Sequence, residues 1–562
     1  MKIASFKLML GILLITQSVS FAQTPSLSFD EKMKVWKDAR YGLFIHWGLY
    51  AITAGTYQGK KTGQNRDGAW LVRDLKVPLV EYRKLGEQFN PTHFDSDKWV
   101  KTAKDCGMKY LVITAKHHDG FALFPSKASS FNVMDATPFK RDIVKEIGTA
   151  CRKYNILFGL YYSQSQDWTN GGANYGNDPW WDESQKNRDY DKYIDEIVTP
   201  QVKEILAYRP DIIWWDTPTN MTRDRAERIK ALLADYPNVI TNNRLGGGIS
   251  GDFNTPEQFI PAMGLRDKYW ETCMTMNDTW GYKDIDSNWK TPSLLLRNLI
   301  DVASKGGNYI LNVGPTADGV FPKENLNRMK IIGDWLKMNG EAIYGTDKSP
   351  FVYLPFGRCT KKGNKIYLHI FNRPDDGKIK IPMNNKVVRC YLLSNSKINI
   401  PTTQDDKFTY FQLPILKDSI ASVVAVEVTD SVESTIKKPV PSLKASIFAT
   451  SEDEKYKAGN AVDGNPSSFW KAKTGNTKDT LTMDFGDEYN ISAISLTENN
   501  ENIKKFALEY KSGNDWNTIL EGTKMGKLLL PFKSVKARYV RLIIKDCNKE
   551  PAIKEMQLFA DK

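Results

Sequence analysis

Seven short apolar runs recur across the first 345 residues, and their alternation with helical stretches constrains the fold more than any other feature. They are Gly42–Trp47, Tyr110–Ala115, Ile156–Tyr162, Asp211–Trp215, Val239–Asn243, Tyr269–Met274 and Asn308–Val313. Runs of this length predict strands, and their continuous apolarity predicts burial on both faces, as in a parallel sheet. Helical stretches such as Asp142–Lys153, Tyr190–Tyr208 and Arg223–Asp235 separate them. Strand–helix alternation over roughly 300 residues predicts a (β/α)8-like TIM barrel. An open doubly wound sheet wants a glycine-rich phosphate turn after its first strand. Here the first strand runs instead into His46-Trp47-Gly48.

The chain has 562 residues, too many for one core, and its character changes past the barrel. Between 346 and 430 helical periodicity fades, and alternating runs such as Lys365–Phe371 and Val387–Leu393 predict a small antiparallel β-sandwich. Residues 431–443, with two prolines and a lysine pair, read as a linker. Residues 444–562 are again strand-rich and predict a second β-sandwich. At the start, a basic Met1–Lys7, an apolar Leu8–Ile15 and the small residues of Ser20-Phe21-Ala22 read as a secretory signal peptide over residues 1–22. Its apolar run is too short to span a membrane. Export to a periplasm or the medium follows as an expectation. The net charge of +12 comes from lysines spread along the chain, with no basic run of the kind that binds nucleic acid.

Chemistry gathers at the ends of the strands. The first ends in His46-Trp47, the second in His117-His118-Asp119-Gly120, the third in Tyr161-Tyr162-Ser163, the fourth in Trp214-Trp215-Asp216 and the fifth in Asn242-Asn243-Arg244. C-terminal strand ends form the catalytic face of such a barrel. A second carboxylate follows in Asp252-Phe253-Asn254-Thr255-Pro256-Glu257. Two carboxylates on different strand ends, among His and Trp, are what cleavage of a glycosidic bond requires. Taken singly, an Asp after a strand is more often a cap or turn residue; the joint occurrence gives the pattern its meaning. The rival chemistry is a metal site, but adjacent histidines point to opposite sides unless the strand has ended, and no H-x-H or H-E-x-x-H is present, so no catalytic metal is expected. The 15 Trp exceed what an average core needs and suit stacking on sugar rings.

These residues match a family. Tyr41-Gly42-Leu43-Phe44-Ile45-His46-Trp47-Gly48, Ala115-Lys116-His117-His118-Asp119-Gly120-Phe121, Trp214-Trp215-Asp216 and Gly307-Asn308-Tyr309-Ile310-Leu311-Asn312-Val313-Gly314-Pro315 resemble α-L-fucosidases of glycoside hydrolase family 29, in the right order. The resemblance implies an exo-acting, retaining fucosidase acting on fucosylated oligosaccharides or glycoconjugates, with Asp216 as nucleophile and Glu257 as acid/base. Glu271, in Trp270-Glu271-Thr272-Cys273, is the competing acid/base; Glu257 is preferred because a loop lets it approach the leaving-group oxygen. The resemblance further implies that His46, Trp70, His117, His118, Tyr161, Trp214 and Arg244 line the sugar pocket. It implies no cofactor for the reaction.

Near the C-terminus, Ala461-Val462-Asp463-Gly464-Asn465, Ser468-Phe469-Trp470 and Ala537-Arg538-Tyr539-Val540-Arg541-Leu542 resemble discoidin-like sandwiches of the coagulation-factor C type. That fold similarity implies a carbohydrate-binding module or a spacer packed on the barrel, with a structural calcium near Asp463. Two other functions stay open: a glycan-binding protein with an inactive barrel, and a retaining glycosidase for a related sugar such as galactose. The six cysteines show no zinc spacing and read as buried thiols, with a Cys359–Cys390 disulfide as the alternative for an exported chain.

Overall fold

The computed structural model describes residues 28–561, apart from 64–65, 176–177, 179, 262–263, 266–268, 352–353, 417, 419, 436–444 and 464–467. The predicted leader, residues 1–22, and most of the predicted linker lie outside the described residues.

Eight parallel strands form the barrel: β1 (Tyr41–Ile45), β2 (Tyr110–Lys116), β3 (Leu157–Tyr162), β4 (Ile212–Trp215), β5 (Ile240–Thr241), β6 (Phe253–Asn254), β7 (Tyr269–Thr275) and β8 (Asn308–Val313). They pair in the order β5-β4-β3-β2-β1-β8-β7-β6. A parallel bridge from Asn242 to Phe253 joins the two ends of that order and closes the ring. Strand order around the barrel is therefore sequence order, as repeated right-handed crossovers produce.

Seven of these strands are legible as apolar runs; β6 is not, because two residues carry no periodicity. It is held from outside, by the register Phe253↔Tyr269 and Asn254↔Trp270. The seam between β4 and β5, which is as short as β6, is stitched by a side chain. The Asn242 amide donates to Trp215 O and accepts from Trp215 N, both at 2.8 Å. It supplies ladder bonds that a longer β5 would have made.

Alternation along the strands sorts the side chains into two layers. Phe44, Tyr110, Val112, Tyr161, Ile212, Trp214, Phe253 and Ile310 pack inside the barrel. Leu43, Ile45, Leu111, Ile113, Leu160, Ile213 and Leu311 pack outward against the helices. The interior layer also takes in Met33 and Trp36 of helix α1 (Phe29–Ala39), which starts at a Ser28–Glu31 capping box. Asn308 at the start of β8 donates to Trp36 O at 2.6 Å. The helix thus closes the end where strands begin and leaves the other end open.

The second unit has a five-stranded and a three-stranded antiparallel sheet over residues 357–428. Ile366, Leu368, Ile381, Val424 and Val426 form its core. The other face of its larger sheet, through Tyr367, Tyr391, Val423 and Ala425, joins the barrel's outer core. Cys359 and Cys390 are free and buried here, which excludes the disulfide alternative. The strands Lys365–Ile370 and Ser422–Val428 lie between theirs. Three strand spacings of about 4.8 Å put them roughly 14 Å apart, far beyond disulfide reach. The third unit is an antiparallel assembly over residues 446–561 with its own core around Trp470, Leu481, Met483, Phe506 and Leu542. No helix among the described residues is long and apolar enough to cross a membrane.

Candidate active site

The open end of the barrel gathers almost every residue singled out by the sequence. Asp216 directly follows β4, and its side chain is 14% exposed. Three hydrogen bonds fix its carboxylate and backbone, and His118 stands beside them. Arg244 Nη1 donates to Oδ1 at 2.8 Å and Tyr161 Oη donates to Oδ2 at 2.8 Å. His118 Nε2 lies 3.7 Å from Oδ2, and the Asp216 N–H donates to Gln164 Oε1 at 3.0 Å. The next residue, Thr217, has φ 49°, a costly conformation for a β-branched residue that turns the chain sharply away and leaves Asp216 facing the pocket. Burial pushes the Asp216 carboxyl up, but Arg244, His118 and Tyr161 together outweigh it and hold the group below the usual carboxylate range.

Arg244 organises both acids. Its Nη1 also donates to Glu257 Oε2 at 2.8 Å. The two carboxylate oxygens share one nitrogen, so they lie no farther apart than twice 2.8 Å. The guanidinium is itself fixed by Thr255, through Nε to Oγ1 and Nη2 to O, both at 2.9 Å, and lies 4.7 Å over the Trp214 ring. Glu257 sits on the rim at 41% exposure, beyond β6, with a parallel bridge to Cys273 of β7 placing its backbone.

Glu271 occupies a different place. It lies inside the barrel, wholly buried, accepting from Tyr110 Oη at 2.6 Å and Trp214 Nε1 at 2.9 Å. Burial pushes it up to about 7. It lies at the floor of the pocket, away from the rim where Glu257 sits.

The three histidines stand side by side: His46 and His117 have ring centroids 5.5 Å apart, His117 and His118 4.1 Å. Burial holds all three below the ordinary imidazole range, His46 and His118 at about 4, so they are neutral at pH 7. Their tautomers follow from neighbours. Ser163 donates to Gln166 O at 2.6 Å, so its oxygen must accept from His118 Nδ1 at 2.7 Å. Asn312 donates to Trp280 O at 2.7 Å, so its Oδ1 accepts from His46 Nδ1 at 2.7 Å. Both rings then keep Nε2 as an acceptor on the side away from their anchors, and Thr217 Oγ1 lies 3.3 Å from that of His118. The buried Nδ1 of His117 has no partner in the described structure. Tyr161 stacks on Trp214 at 5.8 Å and 17°, and Trp70 sets its edge on His118 at 5.2 Å. All nine predicted site residues therefore lie at one end of the barrel.

Several residues of this site were not singled out from the sequence. Asn312 shares strand parity with the inward Ile310, a signal that inspection of β8 offers. Gln164, next to the strand-end Ser163, lies on a loop anchored by a buried ion pair, Lys116 to Asp167 at 2.7 Å. Trp280, whose ring lies 5.0 Å from His46, has no sequence signal at all. In the third unit, Asp463 is engaged by the Ser468 hydroxyl at 2.7 and 2.9 Å, while residues 464–467 of the implied calcium loop lie outside the described residues.

The family model for α-L-fucosidase matches residues 14–341. The chain belongs to the α-L-fucosidase family. It is accordingly a glycoside hydrolase. An F5/8 type C domain model matches residues 446–556. Human tissue α-L-fucosidase is 30% identical over 449 residues, covering 73% of this chain and 93% of that protein. The α-L-fucosidase of Vibrio sp. strain EJY3 superposes with TM-score 0.72 at 25% identity, covering 94% of this chain and 97% of the other. A Bacteroides thetaiotaomicron α-L-fucosidase, captured as a trapped covalent intermediate with 2-fluoro-fucosyl fluoride, superposes with TM-score 0.63 at 31% identity, covering 71% and 96%.

Proposed function

We propose that this fucosidase is exported and releases terminal α-L-fucosyl residues from glycans with retention, using Asp216 as nucleophile and Glu257 as acid/base. The observation that carries this reading is the shared Arg244 nitrogen, which keeps Asp216 Oδ1 and Glu257 Oε2 within twice 2.8 Å of each other. Retaining glycosidases separate their carboxyls by about 5–5.5 Å; inverting ones need roughly 6.5–9.5 Å to admit a water. The covalent intermediate trapped in the Bacteroides relative supports the same course. Export rests on the segment Met1–Ala22 alone.

In the first step Asp216 attacks the anomeric carbon while Glu257 gives its proton to the departing glycosidic oxygen. With His118 and Tyr161, Arg244 keeps Asp216 ionised inside a buried pocket, where it would otherwise be driven toward protonation. In the second step Glu257 takes a proton from water, which attacks the glycosyl ester and frees Asp216. The neutral His46 accepts a hydrogen bond from a sugar hydroxyl through Nε2, and His117, His118 and Trp70 complete the sugar-facing wall. Glu271, Tyr110 and Trp214 seal the floor, so a sugar enters end-on and only a terminal residue fits.

Proton NMR of aryl α-L-fucoside hydrolysis, read before mutarotation, tests this. The first fucose formed is the α-anomer; a β-anomer overturns retention.

A further inference from the structure

The third unit reaches the catalytic rim, and it does so through one irregular residue. In the last strand, Ala552–Asp561, Ile553 pairs with Glu498 and Glu555 pairs with Thr497. Lys554 is the extra residue between them, a β-bulge. Bulges re-aim side chains and gather near functional sites. Here the bulge throws Lys554 out of the alternation and sets its ammonium 5.5 Å from the centre of the Phe259 ring of the barrel. Phe259 is buried and stands two residues from Glu257. The rest of this strand is covered on both faces. Ile553, Met556 and Leu558 belong to the unit's own core, and the alternating Glu555, Gln557 and Phe559 are each 3% exposed.

The segment this lysine meets carries the proposed acid/base. Gln258 lies in the left-handed region at φ 54°, and its N–H donates to Cys273 O at 2.9 Å. Glu257 itself is rim-exposed and pairs with Arg244 on the pocket side. Burial disfavours the Lys554 ammonium, and the charge of Glu257 acts against that.

We propose that Lys554 is a positioning residue for Glu257 and that the C-terminal sandwich, through this bulge, forms part of the leaving-group side of the active site. The unit then does more than bind glycan at a distance: it clamps the Phe259 segment and sets where Glu257 meets the glycosidic oxygen. This rests on the acid/base reading of Glu257.

The test uses the full-length enzyme with two substrates, an aryl fucoside with an activated leaving group and a fucosylated oligosaccharide. Only the second needs full protonic assistance. Lys554→Met should lower kcat on the oligosaccharide by about fivefold to tenfold, a loss on the scale of one buried cation–π contact, with the aryl fucoside changed less than about twofold. The melting temperature should stay near wild type, and Lys554→Arg should restore the oligosaccharide rate. Equal losses on both substrates, or no loss on either, overturn the proposal. Glu257→Gln is measured alongside. If Glu257→Gln shows no dependence on the leaving group, the acid/base reading fails; if it does and Lys554→Met does not, only the positioning role fails.

Discussion

Replacing Glu271 by Gln separates the two candidate acids through stability as well as rate. Glu271 is wholly buried, and burial lifts it from 4.5 to about 7. That lift corresponds to about 3 kcal/mol of preference for the neutral form in the folded state. The folded value lies above the unfolded one, so the stabilising contribution is complete below pH 4.5 and is lost as pH rises through about 7. An amide never ionises and shows no such loss. Between pH 4.5 and 8, the stability of Glu271→Gln relative to wild type should climb by up to about 3 kcal/mol. For a barrel of this size that moves the difference in melting temperature by roughly 5 °C. Paired thermal melts across that range provide the assay. The amide keeps partners for Tyr110 and Trp214, so hydrolysis of an aryl fucoside should persist within about tenfold. Parallel pH–stability curves for the two proteins would refute the burial argument. A rate loss confined to poor leaving groups would return the acid/base role to Glu271.

Two further substitutions test the parts that hold the nucleophile. Arg244→Met removes the cation 2.8 Å from both carboxylates, so burial acts on Asp216 against His118 and Tyr161 alone. The acid limb of kcat/KM should move to higher pH, and the neutral-pH value should fall by about two to three orders of magnitude, both read from a pH–rate profile. Asp167→Asn strips the fully buried Lys116 of its anion. The urea midpoint should drop by an amount worth about 3–5 kcal/mol, and kcat should fall with it, because the same loop carries Ser163 and Gln164.

Most of the barrel was legible because its long strands announce themselves. β2, β3, β7 and β8 are buried apolar runs, and Asp142 caps the helix Ile143–Tyr154 as its sequence suggests. β6 was not legible: two residues have no period, and Asn242 and Tyr269 around it decide its pairing. The catalytic face was legible because strand ends collect His46, His117, His118, Asp216 and Arg244 in a simple count. The choice between Glu257 and Glu271 is a matter of direction. Glu271 shares parity with the inward Cys273, which buries it, whereas Glu257 lies past its strand and reaches the rim. Trp280 and Lys554 were beyond reach. Their roles depend on how distant segments meet, and for Lys554 on a one-residue bulge that alternation cannot foretell.

The anomeric configuration of a single product tests the pair of assignments most directly. In Asp216→Gly, azide takes the place of the missing carboxylate and displaces an activated aryl group once, so an α-L-fucoside gives β-L-fucosyl azide. In Glu257→Ala, the glycosyl ester on Asp216 still forms, and azide attacks it in a second displacement, giving α-L-fucosyl azide. The account predicts the β product from the first variant and the α product from the second, read by proton NMR. Exchange of the two anomers between the variants, or no azide product from either, would contradict it.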